Sequence, residues 1–427
     1  MSSSPYRLTT LSNGLRIASI EMPHMQSVSV GLWVKVGGRY ERAAQSGISH
    51  FTEHLLFKGT ARRSAKKITE AVEGLGGYLN AFTTEDHTCY YAKAAAPHLP
   101  VLCDVLTDMY LYSQFAPVEI DRERDVIREE ILMVRDNPSQ YVQELLSETL
   151  WPDHPLGRSL TGTVESIGRL RRDDFLDFMR RHYHGRNTVV AVAGRVSHEA
   201  VVEAFAPRLG CLPAGRRSGF RAPAAPRDAA PSRLRLMEQE IEQTHLALGW
   251  ETFGRRDERR FALKVLSVLL GENMSSRLFQ KLRERYGLCY CVSTCLVCLD
   301  DTGALTLSAA LDPANLEKAV RLIRREMERI ATTPPSRREV RQAQDYTIGQ
   351  TLMGLESTTN QMMWIGESLL GYGELTVPGT LEKKLLAVTP EAVSAVARTC
   401  LQRGRLAVAL TGENPGEARL RQWLEGP

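Results

Sequence analysis

The chain has 427 residues, a formal net charge of +4, 43% hydrophobic residues and 24% charged residues. That is the composition of a water-soluble globular protein, and the length exceeds what one ordinary core serves, so two domains are predicted. No window reaches the roughly 18 uninterrupted apolar residues of a membrane span, and no basic run forms a nucleic-acid stripe. Neither a membrane nor a nucleic acid is therefore expected as a partner.

In chain order, the N-terminal stretch "MSSSPYRLTTLSNGLRIA" lacks the apolar h-region of a secretion signal. A strand pair follows, "GLRIASIEM" and "SVSVGLWVKVG", and residues 47–58 read as a helix. Gly76-Gly77 supplies a turn into "YLNAFTTEDHTCYYAKAA", where Leu79, Ala81 and Thr83 alternate with Asn80 and Phe82 as a strand requires. His87, in the middle of that run, reads as a strand-end residue facing solvent or a neighbour rather than as a metal ligand. A long charged helix is predicted from Pro117 to Asp136, with apolar Val118, Ile120, Val126, Ile127, Ile131 and Met133. Asn137-Pro138 breaks it, and "PSQYVQELLSETLW" starts a second helix.

The clearest division is "PAGRRSGFRAPAAPRDAAPS", residues 213–232, with four prolines and almost no periodic apolar pattern. Beyond it the chain repeats its opening. Strands "RLRLMEQEI" and "THLALGWET" precede the helical "ERRFALKVLSVLLG", then come strands "GLCYCVSTCLVCL" and "GALTLSAAL". The simplest account is a duplicated α+β unit: a first domain over 1–212, a linker over 213–232 and a second domain over 233–427.

Four of the eight cysteines, Cys289, Cys291, Cys295 and Cys298, sit close together. Structural zinc sites usually come as two close pairs separated by a longer loop. Here there is no loop, and Val292, Leu296 and Val297 fit a buried strand in which cysteine acts as a small hydrophobe. Reduced thiols also fit a cytoplasmic setting.

The chemistry lies in "GISHFTEHLLFKGT". On a helix, His50 and His54 are four apart and share a face, so they can point at one centre. Zinc takes neutral imidazole nitrogens in tetrahedral geometry and leaves one position open where the site is catalytic. Glu53 stands beside that face, where it reaches the reacting water without being a ligand. The order H-x-x-E-H inverts the familiar zincin pattern. Two histidines need a third protein ligand, and a carboxylate is the usual choice. Glu123 and Glu130 on the long helix are seven apart and share a face. Spacing alone leaves Glu123, Glu129 and Glu130 all open, because most charges on such a helix belong to solvated salt bridges.

Five segments in order, "GISHFTEHLLFKGT", "GGYLNAFTTEDHTCYYAKA", "ERDVIREEI", "HPLGRSLTGT" and "SSRLFQKLRERYGLCYCV", give the chain its resemblance to the pitrilysin/insulinase family of inverzincin metallopeptidases. Within that family the mitochondrial-processing-peptidase-like branch is the most similar, and the resemblance covers nearly the whole chain. It implies one zinc ion per chain held by His50, His54 and Glu130, with Glu53 as general base and Glu123 supporting a ligand. It implies that Arg283 and Tyr290 reach the substrate near the scissile bond. It also makes the strand with Asn80, Ala81 and Phe82 an edge on which a peptide lies as an added β-strand. The implied fold is two homologous domains, each a mainly antiparallel sheet with helices packed on one face, together forming half of a clamshell chamber. A homodimer completes such a chamber, and a heterodimer with an inactive relative is the variant arrangement. Two rival readings follow, a non-catalytic partner subunit and a zinc-binding interaction module. The first is opposed by the complete ligand set with Glu53, the second by Glu53 and the Arg283/Tyr290 pair.

Overall fold

The computed structural model describes residues 5–226 and 230–426, so residues 227–229 of the expected linker and the first four residues of the N-terminal stretch lie outside the described residues. The described residues form two sheets. The first contains β1 (Tyr6–Thr10), β2 (Arg16–Glu21), β3 (Ser27–Val34), β4 (Tyr78–Thr83), β5 (Thr88–Ala95) and β6 (Thr188–Gly194). Its order is β1-β2-β6-β3-β5-β4, antiparallel throughout except for the parallel β2–β6 pair. The second contains β7 (Arg233–Met237), β8 (Thr244–Phe253), β9 (Cys289–Cys298), β10 (Thr302–Leu311) and β11 (Leu406–Thr411). Its order is β7-β11-β8-β10-β9, with only β7–β11 parallel. Strand for strand, from β2 onward, the second sheet repeats the first. The α+β class and the duplication expected from the sequence are both present.

The helices that matter for the site are α1 (Ile48–Leu56), α2 (Ala65–Glu73), α3 (Leu99–Tyr112), α4 (Pro117–Asp136) and α5 (Pro138–Leu150). Along β3, Val28, Val30, Leu32 and Val34 face a core shared with Phe51 and Leu55 of α1, Leu102 and Leu106 of α3, and Ile120 and Ile127 of α4. The alternate residues face the other way. Trp33, with Ala191 and Ala193 of β6, packs against Met362 and Ile365 of the helix Thr358–Glu367. A strand buried on both faces is largely apolar; in β3 the exceptions are Ser27 and Ser29, and the buried Ser29 hydroxyl is 2.9 Å from that of Thr358. Gly31 stands where a Cβ would lie 2.4 Å from the sulfur of Met362.

The second sheet is built likewise. Leu246, Leu248 and Trp250 of β8 pack with Leu263 and Leu266 of the helix Arg260–Gly271. On the opposite face, Ala247, Ala407 and Ala409 receive Val142, Leu145 and Leu146 of α5. Gly249 allows the close approach, since a Cβ there would lie 2.8 Å from Leu150.

The compact units therefore interleave. One comprises Met1–Ile131, Arg158–Arg221 and Leu352–Val377; the other comprises Leu132–Gly157, Ala222–Thr351 and Pro378–Pro427. A division at the linker and these units differ by two segments, Leu132–Gly157 and Leu352–Val377, and each sheet also carries a helix on its second face. Each sheet has a second face of small residues, and the helix that covers it comes from the other half of the chain. Composition reveals a break in the chain, but not which sheet a helix near that break will cover.

Candidate metal centre

Helix α1 is fixed from two sides. Ile48, Phe51, Leu55 and Leu56 are buried in the first core. At its start, the backbone N–H groups of Gly47 and Ser49 each donate to the carboxylate of Glu41 at 2.8 Å. A carboxylate at a helix N-terminus meets the positive end of the helix dipole. Glu41 is only 6% exposed. Burial pushes its carboxyl up to about 7, and the two backbone donors and Arg158 oppose the shift.

Anchored this way, α1 presents His50 and His54 one turn apart, ring centroids 4.5 Å from each other. Helix α4 buries Ile120, Ile127 and Ile131 and carries Glu123 on the same buried face. Two turns beyond Glu123, Glu130 reaches the histidines, whereas neighbouring Glu129 is exposed. Glu130 Oε1 stands 3.6 Å from His50 Nε2, and its Oε2 stands 3.8 Å from His54 Nε2. Among the described residues, these three form the group whose ligand atoms all lie within 4.8 Å of one another. Such gaps are too long for hydrogen bonds. They are close to the roughly 3.3–3.6 Å that separates two ligand atoms each about 2.1 Å from a shared tetrahedral ion. The donor set of two imidazoles and one carboxylate fits zinc.

The protonation of the histidines also fits. His54 Nδ1 lies 3.1 Å from Glu123 Oε2, and an ionised carboxylate only accepts, so Nδ1 carries the hydrogen and Nε2 offers its lone pair toward Glu130. Lys58 Nζ closes the chain of contacts, 2.7 Å from the other oxygen of Glu123. Burial alone would raise the Glu123 carboxyl, but the hydrogen bonds with His54 and Lys58 outweigh it and hold the group below its ordinary value. His50 is pushed down to about 3, mainly by burial and further by His54, so its imidazole stays neutral into acid. Burial raises Glu130, and His54 pulls it back.

Glu53 is 9% exposed and stands outside the ligand group. Its carboxyl is raised by burial, opposed by a hydrogen bond from Thr83 and by the nearby charge of His54. Thr83 Oγ1 donates to Glu53 Oε2 at 2.5 Å. Thr83 ends β4, the free edge of the first sheet. At the hairpin, Thr84 N–H donates to His87 O, so hydrogen-bonded pairs alternate back along β4 and the backbone groups of Leu79, Ala81 and Thr83 point outward. The outward N–H of Ala81 donates to Asn80 Oδ1 at 2.8 Å. Asn80 is exposed, Ala81 is half-buried against the first core, and Phe82 packs edge-on against Trp33. His87 is buried and faces neighbours, its ring against Trp33 and Phe82.

Arg283 and Tyr290 belong to the other compact unit. The Arg283 guanidinium stands 4.8 Å from the ring centres of both Phe279 and Tyr290, and Tyr290 is 79% exposed on β9. The cysteine run does lie on a strand, but that strand is an edge rather than buried: Cys289 is buried, while Cys291, Cys295 and Cys298 are exposed. All eight cysteines are free, and the described residues hold no metal-binding group among them. Sequence reading missed Glu41, Lys58 and Thr83. Lys58 had a usable signal, being four residues beyond His54; the partners of Glu41 and Thr83 are tertiary.

Known proteins are similar to this chain along most of its length. Residues 16–164 match the family model described as insulinase, peptidase family M16, and residues 169–346 match the peptidase M16 inactive domain. An uncharacterized zinc protease of Streptomyces coelicolor is 39% identical over 93% of this chain and 87% of its own length. One from Mycobacterium tuberculosis is 39% identical over 98% of this chain and 95% of its own. A protease from Helicobacter pylori has the same fold, with a TM-score of 0.88 at 22% identity over 96% of this chain and all of that one. No helix of the described residues is long and apolar enough to cross a membrane. The chain belongs to the insulinase family of peptidases, peptidase family M16.

Proposed function

We propose that the protein is a zinc-dependent endopeptidase that hydrolyses short or unfolded peptides, with one zinc per chain on His50, His54 and Glu130. The observation that carries this reading is the convergence of those three side chains beside a buried carboxylate, Glu53, that is not one of them. Zinc, when bound, supplies a Lewis acid that makes water nucleophilic near neutral pH. Glu53 takes the water's proton and later delivers it to the leaving amine. Its Oε2 already accepts from Thr83, which leaves Oε1 to face the reacting water. Glu123 holds His54 in the tautomer that offers Nε2, and Lys58 holds Glu123.

The peptide lies along β4 as an added strand, exchanging backbone hydrogen bonds with Leu79, Ala81 and Thr83. Asn80 Oδ1 occupies the Ala81 N–H until a peptide carbonyl takes it over. Phe82 contributes indirectly, through the aromatic packing that holds the strand. Arg283 and Tyr290 donate to the peptide from a closed chamber, completed by a second copy of the chain. Eight free cysteines favour a reducing, cytoplasmic setting. The test is direct: wild-type protein carries about one zinc, cleaves an internally quenched peptide, loses cleavage to a chelator and regains it with zinc. Zinc-loaded protein that leaves both the quenched peptide and an unfolded protein intact sinks the reading and returns the chain to a partner-subunit role. The dimer has its own test. Glu53→Gln and Tyr290→Phe chains, each dead alone, regain activity when their subunits exchange; proven exchange without recovery rejects it.

A further inference from the structure

We propose that Thr83 is a positioning residue: its hydroxyl fixes the Glu53 carboxylate and so joins the base to the strand that receives the peptide. This inference rests on the peptidase reading above and deepens it.

The argument begins with counting hydrogens. A threonine hydroxyl has one, and an ionised carboxylate has none to give. Thr83 Oγ1 therefore donates to Glu53 Oε2, at 2.5 Å. Thr88 Oγ1, 3.4 Å from Thr83 Oγ1, gives its own hydrogen to the backbone carbonyl of Val36 at 2.9 Å, so it competes with Glu53 for the Thr83 hydrogen only as a more distant acceptor. A hydrogen bond to a charged acceptor is among the stronger kinds, and it holds one of two equivalent oxygens. Without it the Glu53 side chain turns freely about its last torsion, which is a broad, two-fold one.

Position adds the second part. The side chain of Thr83 turns inward to Glu53 while its own backbone N–H and C=O point outward from the free edge of β4. The same residue thus borders the place a peptide strand takes and grips the group that acts on it. A peptide seated along β4 stiffens the strand, and that restraint reaches Glu53 through a single hydrogen bond. In the second sheet a threonine of the edge strand has a different partner: Thr294 Oγ1 of β9 donates to the backbone carbonyl of Ser267 at 2.8 Å. There the hydroxyl satisfies a helix; on β4 it is turned to a carboxylate.

The experiment compares zinc-loaded wild type, Thr83→Val, Thr83→Ser and Glu53→Gln on one internally quenched peptide. Valine keeps the shape and the strand preference and removes only the hydroxyl. The expected result is a fall in kcat of about 10- to 100-fold in Thr83→Val with KM within about twofold, and recovery to within about threefold in Thr83→Ser. An unchanged kcat in Thr83→Val, or equal loss in both variants, overturns the inference while the Glu53→Gln loss leaves the peptidase reading standing. A wild type that cleaves nothing removes that reading and the positioning role with it. The contact itself is read without activity, from melting temperatures of zinc-free wild type, Thr83→Val, Glu53→Gln and the double variant. Non-additive shifts are expected, and additive ones overturn the inference.

Discussion

The two sheets of this protein share strand order, a free edge strand and an imported helix, yet among the described residues only the first has beside it a group that could hold a metal ion. In the first, the helix against the edge strand β4 is α1, with His50, Glu53 and His54 among buried Phe51, Leu55 and Leu56. In the second, the helix packed on edge strand β9 is Arg260–Gly271, with Phe261, Leu263, Val265, Leu266, Val268, Leu269 and Leu270 all buried. The same place in the architecture is filled by apolar side chains. What distinguishes the first sheet is the pair of carboxylates, Glu123 and Glu130, that α4 places against α1. The fold supplies a position twice, and side chains on two neighbouring helices turn one of the two copies into a site.

The largest effects expected on that difference come from α1 itself. His54→Ala removes one of the three proposed ligands and should abolish both zinc retention and cleavage. Glu53→Gln keeps all three ligands and should retain zinc while lowering kcat by about 10²- to 10⁴-fold. Metal analysis with peptide kinetics on both variants checks the pair. Full zinc in His54→Ala, or near wild-type turnover in Glu53→Gln, would place the chemistry elsewhere.

Next in size is a pH effect at the start of α1. The folded Glu41 carboxyl is pushed up to about 7, above its ordinary value of 4.5. The folded state then binds more protons than the unfolded state between those two values, so stability from this group is full below 4.5 and is lost as pH rises through 7. Glu41→Gln does not titrate. The stability of wild type relative to Glu41→Gln should therefore decline by about 1.4 kcal/mol per pH unit, roughly 3 kcal/mol from pH 4.5 to 7. Urea unfolding of the zinc-free proteins measures it, and a flat difference would mean that the backbone donors keep Glu41 ionised at its ordinary pKa.

Lys58→Met leaves every ligand in place and removes only the cation beside Glu123. A group at that remove from a metal typically changes affinity by about 10- to 100-fold, so zinc should bind more weakly by that factor while remaining stoichiometric at saturation. Competition against a chromophoric chelator reads the affinity directly. Unchanged affinity would show that Glu123 orients His54 without help.

Much of this was legible beforehand, for reasons tied to particular residues. His50, Glu53 and His54 fall within one helical turn or so, where spacing determines which side chains share a face. Glu123 and Glu130 obey the same rule on α4, but choosing Glu130 over Glu129 needed a resemblance or a structure, because nothing local says where α4 meets α1. Thr83 and Glu41 were invisible, since their partners lie 30 and 6 to 8 residues away across turns that sequence does not orient. The cysteine run was placed on a strand, yet was read as buried because strand periodicity does not reveal that β9 is an edge. The exchanged helices were missed for a related reason. Helices α5 and Thr358–Glu367 have ordinary amphipathic patterns, and an apolar stripe does not name its partner.

That exchange allows the smallest and most symmetrical prediction. Gly31 in β3 and Gly249 in β8 meet helices from the other half of the chain in the same way: each lies in a central strand, on the face that such a helix covers. A Cβ at Gly31 would sit 2.4 Å from Met362 Sδ and 2.7 Å from Trp33 Nε1; one at Gly249 would sit 2.8 Å from Leu150 Cδ1 and 3.3 Å from both methyls of Leu146. Both substitutions to alanine overpack a close contact, which costs about 1–3 kcal/mol. The neighbours differ in how they yield. Leu150 and Leu146 present methyl ends that can rotate, whereas the Trp33 ring is fully buried and rigid. Gly31→Ala should therefore fall toward the upper end of that range and Gly249→Ala toward the lower, as read from urea midpoints of the zinc-free proteins. If Gly249→Ala is as stable as wild type while Gly31→Ala is not, the two imported helices are held unequally, and the repeat is architectural without being energetic. If neither variant is destabilised, the helices from the other half of the chain are not seated against these strands.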